Sequence, residues 1–244
     1  TEATAGRGAM SGRDRPGGAA LHGHGLLARL LPDVARKVPH GYVVEVGTTR
    51  EKLPGQGSTV ELAALATELG LPFVTVDMDP ANTEQARRDL GERNGVEAVT
   101  ALGEEFLARF DRPVVAAYLD AFDIQHGKHS DYRVSRYREF LGTEITDEGA
   151  AAMHLACAEA LMPRVVPGGL VVIDDTWSDG EGFGGKGRDA VPALLDGGFR
   201  IVARTKTAVA LQREPGPPIV RAARRALRRI MAAVRRTLRP PRSR

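Results

Sequence analysis

Apolar residues recur along this chain in two alternating rhythms, and the alternation predicts most of a fold. Short apolar runs rich in β-branched residues read as strands: Tyr42-Val43-Val44-Glu45-Val46-Gly47, Phe73-Val74-Thr75-Val76-Asp77, Val96 to Leu102, Val114 to Leu119 and Leu170 to Ile173. Helical spacing fills the intervals. Leu26, Leu27, Leu30, Leu31 and Val34 share one face of a helix ending near Lys37. Ser58 to Leu69 is a second helix, capped by Ser58 or Thr59 and ended by Gly70. Pro80 opens a third, over Asn82 to Arg93, and Glu104 to Phe110 and Asp147 to Leu161 give two more. A last helix follows a Gly-rich loop, Ser178 to Gly187, and stops at Gly197-Gly198. Phe199 to Ala203 and Ala208 to Gln212 then form two strands joined by a turn. Alternating β and α with directly paired terminal strands predicts an α/β fold: a doubly wound, mostly parallel seven-stranded sheet with an antiparallel C-terminal strand pair.

Two stretches follow neither rhythm. Residues 1–25 are Gly-rich and polar and read as a flexible N-terminus. Within it, Thr1 to Ala9 resemble the remains of a cleavable tag, with Met10 as the native start and no signal peptide after it. Asp123 to Thr146 mixes charged and aromatic residues without a period, and reads as a lid or substrate segment inserted in a domain spanning 26–213.

Length and composition narrow the class. A chain of 244 residues suffices for one α/β domain. A single cysteine, Cys157, excludes an internal disulfide framework, and no apolar run approaches the ~20 residues of a bilayer span, so a cytoplasmic location is expected. Charge is uneven. Ten arginines and no acid follow Ile219, which outweighs the overall +3 and leaves the preceding chain at −7. At ~100° per residue the eight arginines from Arg221 to Arg239 gather on one side of a helix over 219–239, opposite Val220, Ala223, Leu227, Ile230, Met231, Val234 and Leu238. Such a basic amphipathic tail, within 214–244, suits an anionic membrane surface, packing on the domain or on a second subunit of a homodimer, or disorder. Nucleic acid is the less favoured partner, because aromatic residues are only 5% and no nucleic-acid module is spelled out.

The candidate chemistry lies at strand ends. Asp120 closes Pro113 to Leu119, and Asp174-Asp175 closes Gly168 to Ile173. Taken singly, each acid reads as a cap or strand terminator. Delivered together to the carboxyl edge of a parallel sheet, they would repel unless a cation neutralised them, and oxygen-only ligands suit magnesium better than zinc. Upstream, Glu45-Val46-Gly47-Thr48 starts a loop that runs to Gly57-Ser58, Asp77 ends the second strand, and Gly103-Glu104 follows the third. An acid after the second strand commonly grips ribose, whereas the first loop lacks the dinucleotide fingerprint and so disfavours a dehydrogenase.

In this order, Glu45-x-Gly47, Asp77, Gly103-Glu104, Asp120 and Asp174-Asp175 resemble the class I S-adenosylmethionine-dependent methyltransferases, which are Rossmann-like. The resemblance is nearest to the metal-dependent O-methyltransferases of the catechol and macrocin type and covers most of residues 40–213. It implies that Glu45, Gly47, Thr48 and Ser58 frame the methionine part of the cofactor. It further implies Asp77 at the ribose, Gly103 and Glu104 by the adenine with Asp120 nearby, and magnesium on Asp120, Asp174 and Asp175. The loop from Thr48 to Gln56 is longer than in most relatives, which leaves open which of Gly47, Gly55 and Gly57 meets the cofactor and whether Arg50 reaches the site.

A reactive methyl sulfonium needs only an aligned acceptor and a base. Asp123, His126, His129 and His154 are the base candidates; His126-x-x-His129 also has a zinc-like spacing, although loop histidines are more often surface groups. Trp177 is open between stacking on a ligand and packing, and Lys186 between contacting an anionic substrate and simple solvation, the latter favoured. The expectation is therefore a magnesium-dependent O-methyltransferase acting on a small polyhydroxylated acceptor: a sugar, glycoside or glycosylated natural product. The alternatives are a metal-independent N- or O-methyltransferase, and an RNA- or membrane-binding protein that works through its tail.

Overall fold

The computed structural model describes residues 22–38, 40–49, 57–122, 124, 131–178, 180 and 182–216. In chain order the strands are β1 (Tyr42–Val46), β2 (Phe73–Asp77), β3 (Val96–Thr100), β4 (Val114–Leu119), β5 (Val165–Ile173), β6 (Thr176–Trp177), β7 (Gly184–Gly185), β8 (Phe199–Arg204) and β9 (Val209–Arg213). The helices are α1 (Gly23–Ala35), α2 (Ser58–Glu68), α3 (Pro80–Leu90), α4 (Gly103–Arg109), α5 (Asp131–Leu141), α6 (Asp147–Leu161) and α7 (Gly187–Asp196). Seven strands make one sheet in the order β3-β2-β1-β4-β5-β9-β8, while β6 and β7 form a small separate hairpin. Strands β1 to β5 are parallel, and β9 runs antiparallel to both β5 and β8. The expected sheet is present, with its terminal pair reversed as the sequence predicts.

Alternate residues of each strand feed two cores. Val43, Phe73, Leu170 and Val172 pack under α1, α2 and α3 with Leu27, Leu62 and Ala86. Val44, Val74, Val171 and Ile173 face α4, α6 and α7 with Leu107, Leu161 and Leu194. Helices cover both faces, so the central strands carry no polar face and read as continuous apolar runs. The order reverses between β1 and β4, and a crevice opens at their carboxyl ends, where ligands bind in such sheets.

Several boundaries differ from the sequence reading. Helix α1 starts at Gly23, inside the stretch read as flexible, because the Gly23 N–H donates to Asp174 Oδ2 and ties the helix start to the sheet edge. Strand β5 begins at Val165, before its Pro-Gly-Gly step, because Gly169 has no side chain to strike the Val115 carbonyl, 2.8 Å from where a Cβ would lie. The segment read as an aperiodic lid contains a true helix, α5, held from outside. Arg136 forks onto Asp79 at 2.6 and 2.5 Å, and Tyr137 meets Phe122 edge-on with ring centres 5.6 Å apart.

Candidate active site

The crevice is a cavity of about 640 Å³ whose lining comes from the carboxyl ends of β1, β2, β4 and β5, the starts of α1, α2 and α4, the helices α3 and α5, and Lys186 just after β7. Its first half is built on neutral hydrogen bonds. Glu45 lies one residue before the end of β1, fully buried, and accepts from Ser58 Oγ at 2.7 Å, Thr59 Oγ1 at 2.7 Å and Thr75 Oγ1 at 2.6 Å. The Thr75 hydrogen is thereby committed, so Thr48 Oγ1 donates to Thr75 Oγ1 at 2.8 Å. One carboxylate thus fastens the start of α2, strand β2 and the first loop together. Burial pushes Glu45 up to about 7, against the pull of its three donors.

Over this knot the backbone turns sharply. Gly47 adopts φ +99, and a Cβ there would lie 2.5 Å from the Asp120 carbonyl oxygen, so the β1 and β4 ends can meet only at glycine. Asp77 faces the cavity from the end of β2. Its Oδ2 accepts the Thr48 N–H at 3.2 Å, and its Oδ1 accepts the Asp79 N–H at 2.8 Å and Asn82 Nδ2 at 3.1 Å. Gly103 lies against Val46, and beside it Glu104 presents a buried Oε2 that finds no protein partner among the described residues.

The second half is charged. Asp120, Asp174 and Asp175 come together as the sequence predicts, and Tyr118 and Lys186 stand among them. The Tyr118 hydroxyl is shared between Asp174 Oδ2 at 2.5 Å and Asp120 Oδ2 at 3.0 Å. Lys186 Nζ lies 2.5 Å from Asp120 Oδ1 and 3.0 Å from Asp175 Oδ2. Its side chain is only 2% exposed, which corrects the reading of Lys186 as a solvated loop residue. Burial alone would lower the lysine's pKa; the two carboxylates reverse that and hold it above its ordinary value. Burial, followed by the Asp120 charge, raises Asp174 to about 6. Asp175 sits at φ +41, a backbone state rare outside glycine and commonest where a site requires it.

The remaining expectations divide cleanly. Gly47, Thr48, Ser58, Asp77, Gly103, Glu104 and Asp120 line the cavity, whereas Glu45 lies beneath it and acts through the residues it fastens. His154 is fully buried on α6 and is not part of the lining. Its Nδ1 is 2.7 Å from the Ala150 carbonyl, its Nε2 has no partner among the described residues, and burial lowers it to about 3. Trp177 packs against Gly184 in the hairpin. Arg50, Gly55, Asp123, His126, His129 and the tail over 219–239 lie outside the described residues. Two histidines that the sequence pattern does not single out, His22 and His24, line the cavity, their rings stacked 5.9 Å apart. Burial lowers the pKa of His24, whose Nε2 is 3.5 Å from Glu61 Oε2. The His22-Gly23-His24 pattern is visible in the sequence, but nothing there joins it to Asp174.

The acid set does not fit a magnesium ion as arranged. Two of its three carboxylates already hold an ammonium. A dication about 4 Å from that charge would meet roughly 8 kcal/mol of repulsion at an effective dielectric of 20. Among the described residues, no group of three or more His, Cys, Asp or Glu is placed to hold a metal ion. Nor, among them, is any helix long and apolar enough to cross a membrane.

No protein-family model matches the chain, and no curated protein does. Solved structures overlap it loosely. TrmN from Thermus thermophilus is 15% identical with a TM-score of 0.45, over 76% of this chain and 48% of TrmN, so the chain spans about half that protein. The SAH-bound methyltransferase PaMTH1 from Podospora anserina is 11% identical with a TM-score of 0.48, over 78% of this chain and 79% of that one. SAM-bound CalS10, an amino pentose methyltransferase from Micromonospora echinaspora, is 13% identical with a TM-score of 0.44, over 78% and 91%. Identities this low leave the chemistry to be read from this chain's own side chains.

Proposed function

We propose that this chain is an S-adenosylmethionine-dependent methyltransferase that methylates a hydroxyl oxygen of a small polyhydroxylated acceptor. The observation that carries the reading is a single cavity in which Gly103 and Glu104, Asp77, Gly47 and Thr48, and Asp120 follow one another along the carboxyl edge from β3 to β4. That is the order adenine, ribose and the methionine sulfonium would need, with the acceptor beyond it at Asp120. The cofactor fits what these residues present. Gly47 leaves the backbone bare at the turn, Asp77 presents at the cavity a carboxylate oriented by Thr48, Asp79 and Asn82 and suited to ribose hydroxyls, and the Glu104 Oε2, without a partner among the described residues, suits an amino donor. A volume of about 640 Å³ lies within the usual range for small-ligand sites.

When bound, the cofactor supplies an electrophilic methyl group on sulfur. The chain's task is to hold the acceptor in line and receive its proton. Asp120 and Asp175, each about one-third exposed, offer acceptor atoms to vicinal hydroxyls. We assign the proton to His24, which burial keeps in its neutral, proton-accepting form near pH 7. An amine acceptor is the second reading, because three carboxylates against one lysine leave the wall net negative. An aminodeoxy sugar offered beside its parent sugar separates the two.

The reading is tested by calorimetric titration of S-adenosylhomocysteine. Asp77→Ala should weaken binding roughly 10- to 100-fold, the range for losing hydrogen bonds to a charged group. Equal affinity in wild type and variant would remove Asp77 from the ribose and the reading with it.

A further inference from the structure

The acid edge contains its own cation, and the local fold builds it in. After Asp175 the chain turns through the β6–β7 hairpin, and the Lys186 N–H donates to the Asp175 carbonyl at 3.0 Å. Gly185, at φ +71, makes this return possible: a Cβ there would lie 1.9 Å from that same carbonyl oxygen. The turn delivers the lysine side chain into the cavity wall, where Asp120, just after β4, and Asp175, just after β5, receive its ammonium. On the far side, the Tyr118 hydroxyl and the Gly23 N–H satisfy Asp174 Oδ2. The three acids are therefore fixed by donors from separate elements, with a positive charge already between two of them.

We propose, resting on the methyltransferase reading above, that Lys186 is a built-in substitute for a divalent ion. It holds the Asp120 and Asp175 carboxylates in the arrangement that receives the acceptor, and methyl transfer needs no added metal. Lys186 is a positioning residue in this scheme. Its side chain is almost fully buried, so it acts through the two acids that remain partly open to the cavity. The surroundings support a permanent charge at this point. The imidazole of His154, whose pKa the Lys186 charge helps to depress, has its Nδ1 engaged by the Ala150 carbonyl and stays neutral. Among the described residues, the ammonium is the one cation in salt-bridge contact with either carboxylate. Removing it leaves Asp120 and Asp175 without their counter-charge beside Asp174, an oxygen-only set of the kind a divalent cation selects.

Manganese is the probe, because it broadens nearby nuclear resonances. Added in millimolar amounts to the isotope-labelled wild-type chain, it should leave the Asp120, Asp174 and Asp175 amide signals unbroadened. In Lys186→Met the same signals should broaden, with manganese held about tenfold or more tightly than by wild type. Lys186→Arg, which keeps the charge, should behave as wild type does. Chelator should leave wild-type turnover unchanged. Selective broadening of these three signals in wild type, or loss of turnover with chelator, overturns the proposal, and so does a folded Lys186→Met that gains no manganese. If Lys186→Met does not fold, the wild-type spectrum decides alone. Binding of S-adenosylhomocysteine, measured separately, distinguishes failure of the methyltransferase reading from failure of this one.

Discussion

The two halves of the cavity solve the same problem, a carboxylate taken out of water, by opposite means. Around Glu45 the solution is neutral: three hydroxyls converge on one buried carboxylate that never reaches the cavity. Around Asp120, Asp174 and Asp175 it is ionic: one buried ammonium and one shared phenol hydroxyl serve three acids, two of which stay partly open. Neutral donors leave Glu45 free to gain or lose a proton near pH 7, so its task is mechanical. An ammonium holds Asp120 and Asp175 aimed, which is what an acceptor site requires. A buried carboxylate thus signals scaffold or chemistry according to the charge of its partner.

The seam between the halves is where a substitution should do most damage. Gly47→Val places a branched side chain at φ +99 and onto the Asp120 carbonyl, so S-adenosylhomocysteine binding should be lost and stability should fall by more than about 3 kcal/mol. Calorimetry and urea unfolding check both parts. Next is the ionic half. Lys186→Ala strands two carboxylates, and since these are about one-third exposed the cost should be roughly 2–3 kcal/mol in urea unfolding, below that of a fully buried pair. A loss under about 0.5 kcal/mol would make the pair ornamental.

The neutral half is best probed by pH. Glu45 has its folded pKa raised from 4.5 to about 7, so its contribution is fully present below pH 4.5 and lost as pH rises through about 7. Glu45→Gln cannot titrate. Between those limits the stability of the variant relative to wild type should therefore rise with pH, by roughly 3 kcal/mol in all. A difference that stays flat with pH would place the titration elsewhere. The smallest effect is expected at the α5 contact. Arg136→Met frees a fork on the Asp79 cap beside Asp77 and should weaken S-adenosylhomocysteine binding by about fivefold, close to 1 kcal/mol. Unchanged affinity would separate α5 from the cofactor half.

What the sequence discloses tracks how local each cause is. Strand-end acids and the Gly47 turn are visible because a strand and the residue closing it are neighbours in the chain, so Asp77, Asp120 and Asp174 can be named from the sequence alone. Lys186 reads wrongly as solvated because its burial depends on a hairpin folding back onto Asp175 and on Asp120, 66 positions away. His24 escapes notice because its helix is anchored by Gly23 to Asp174, across 151 positions. Helix α5 hides behind a polar sequence, since Arg136 and Tyr137 hold it from outside and no apolar stripe is needed. Glu45 reads in the right strand and the wrong role: only the three-dimensional meeting of Ser58, Thr59 and Thr75 shows it to be a fastening.

The most direct measurement is a calorimetric titration of S-adenosylhomocysteine into the full chain after treatment with chelator, repeated with magnesium restored. The account predicts one site, with the same affinity in both titrations. Absence of binding in both, or binding that appears only when magnesium returns, would contradict it.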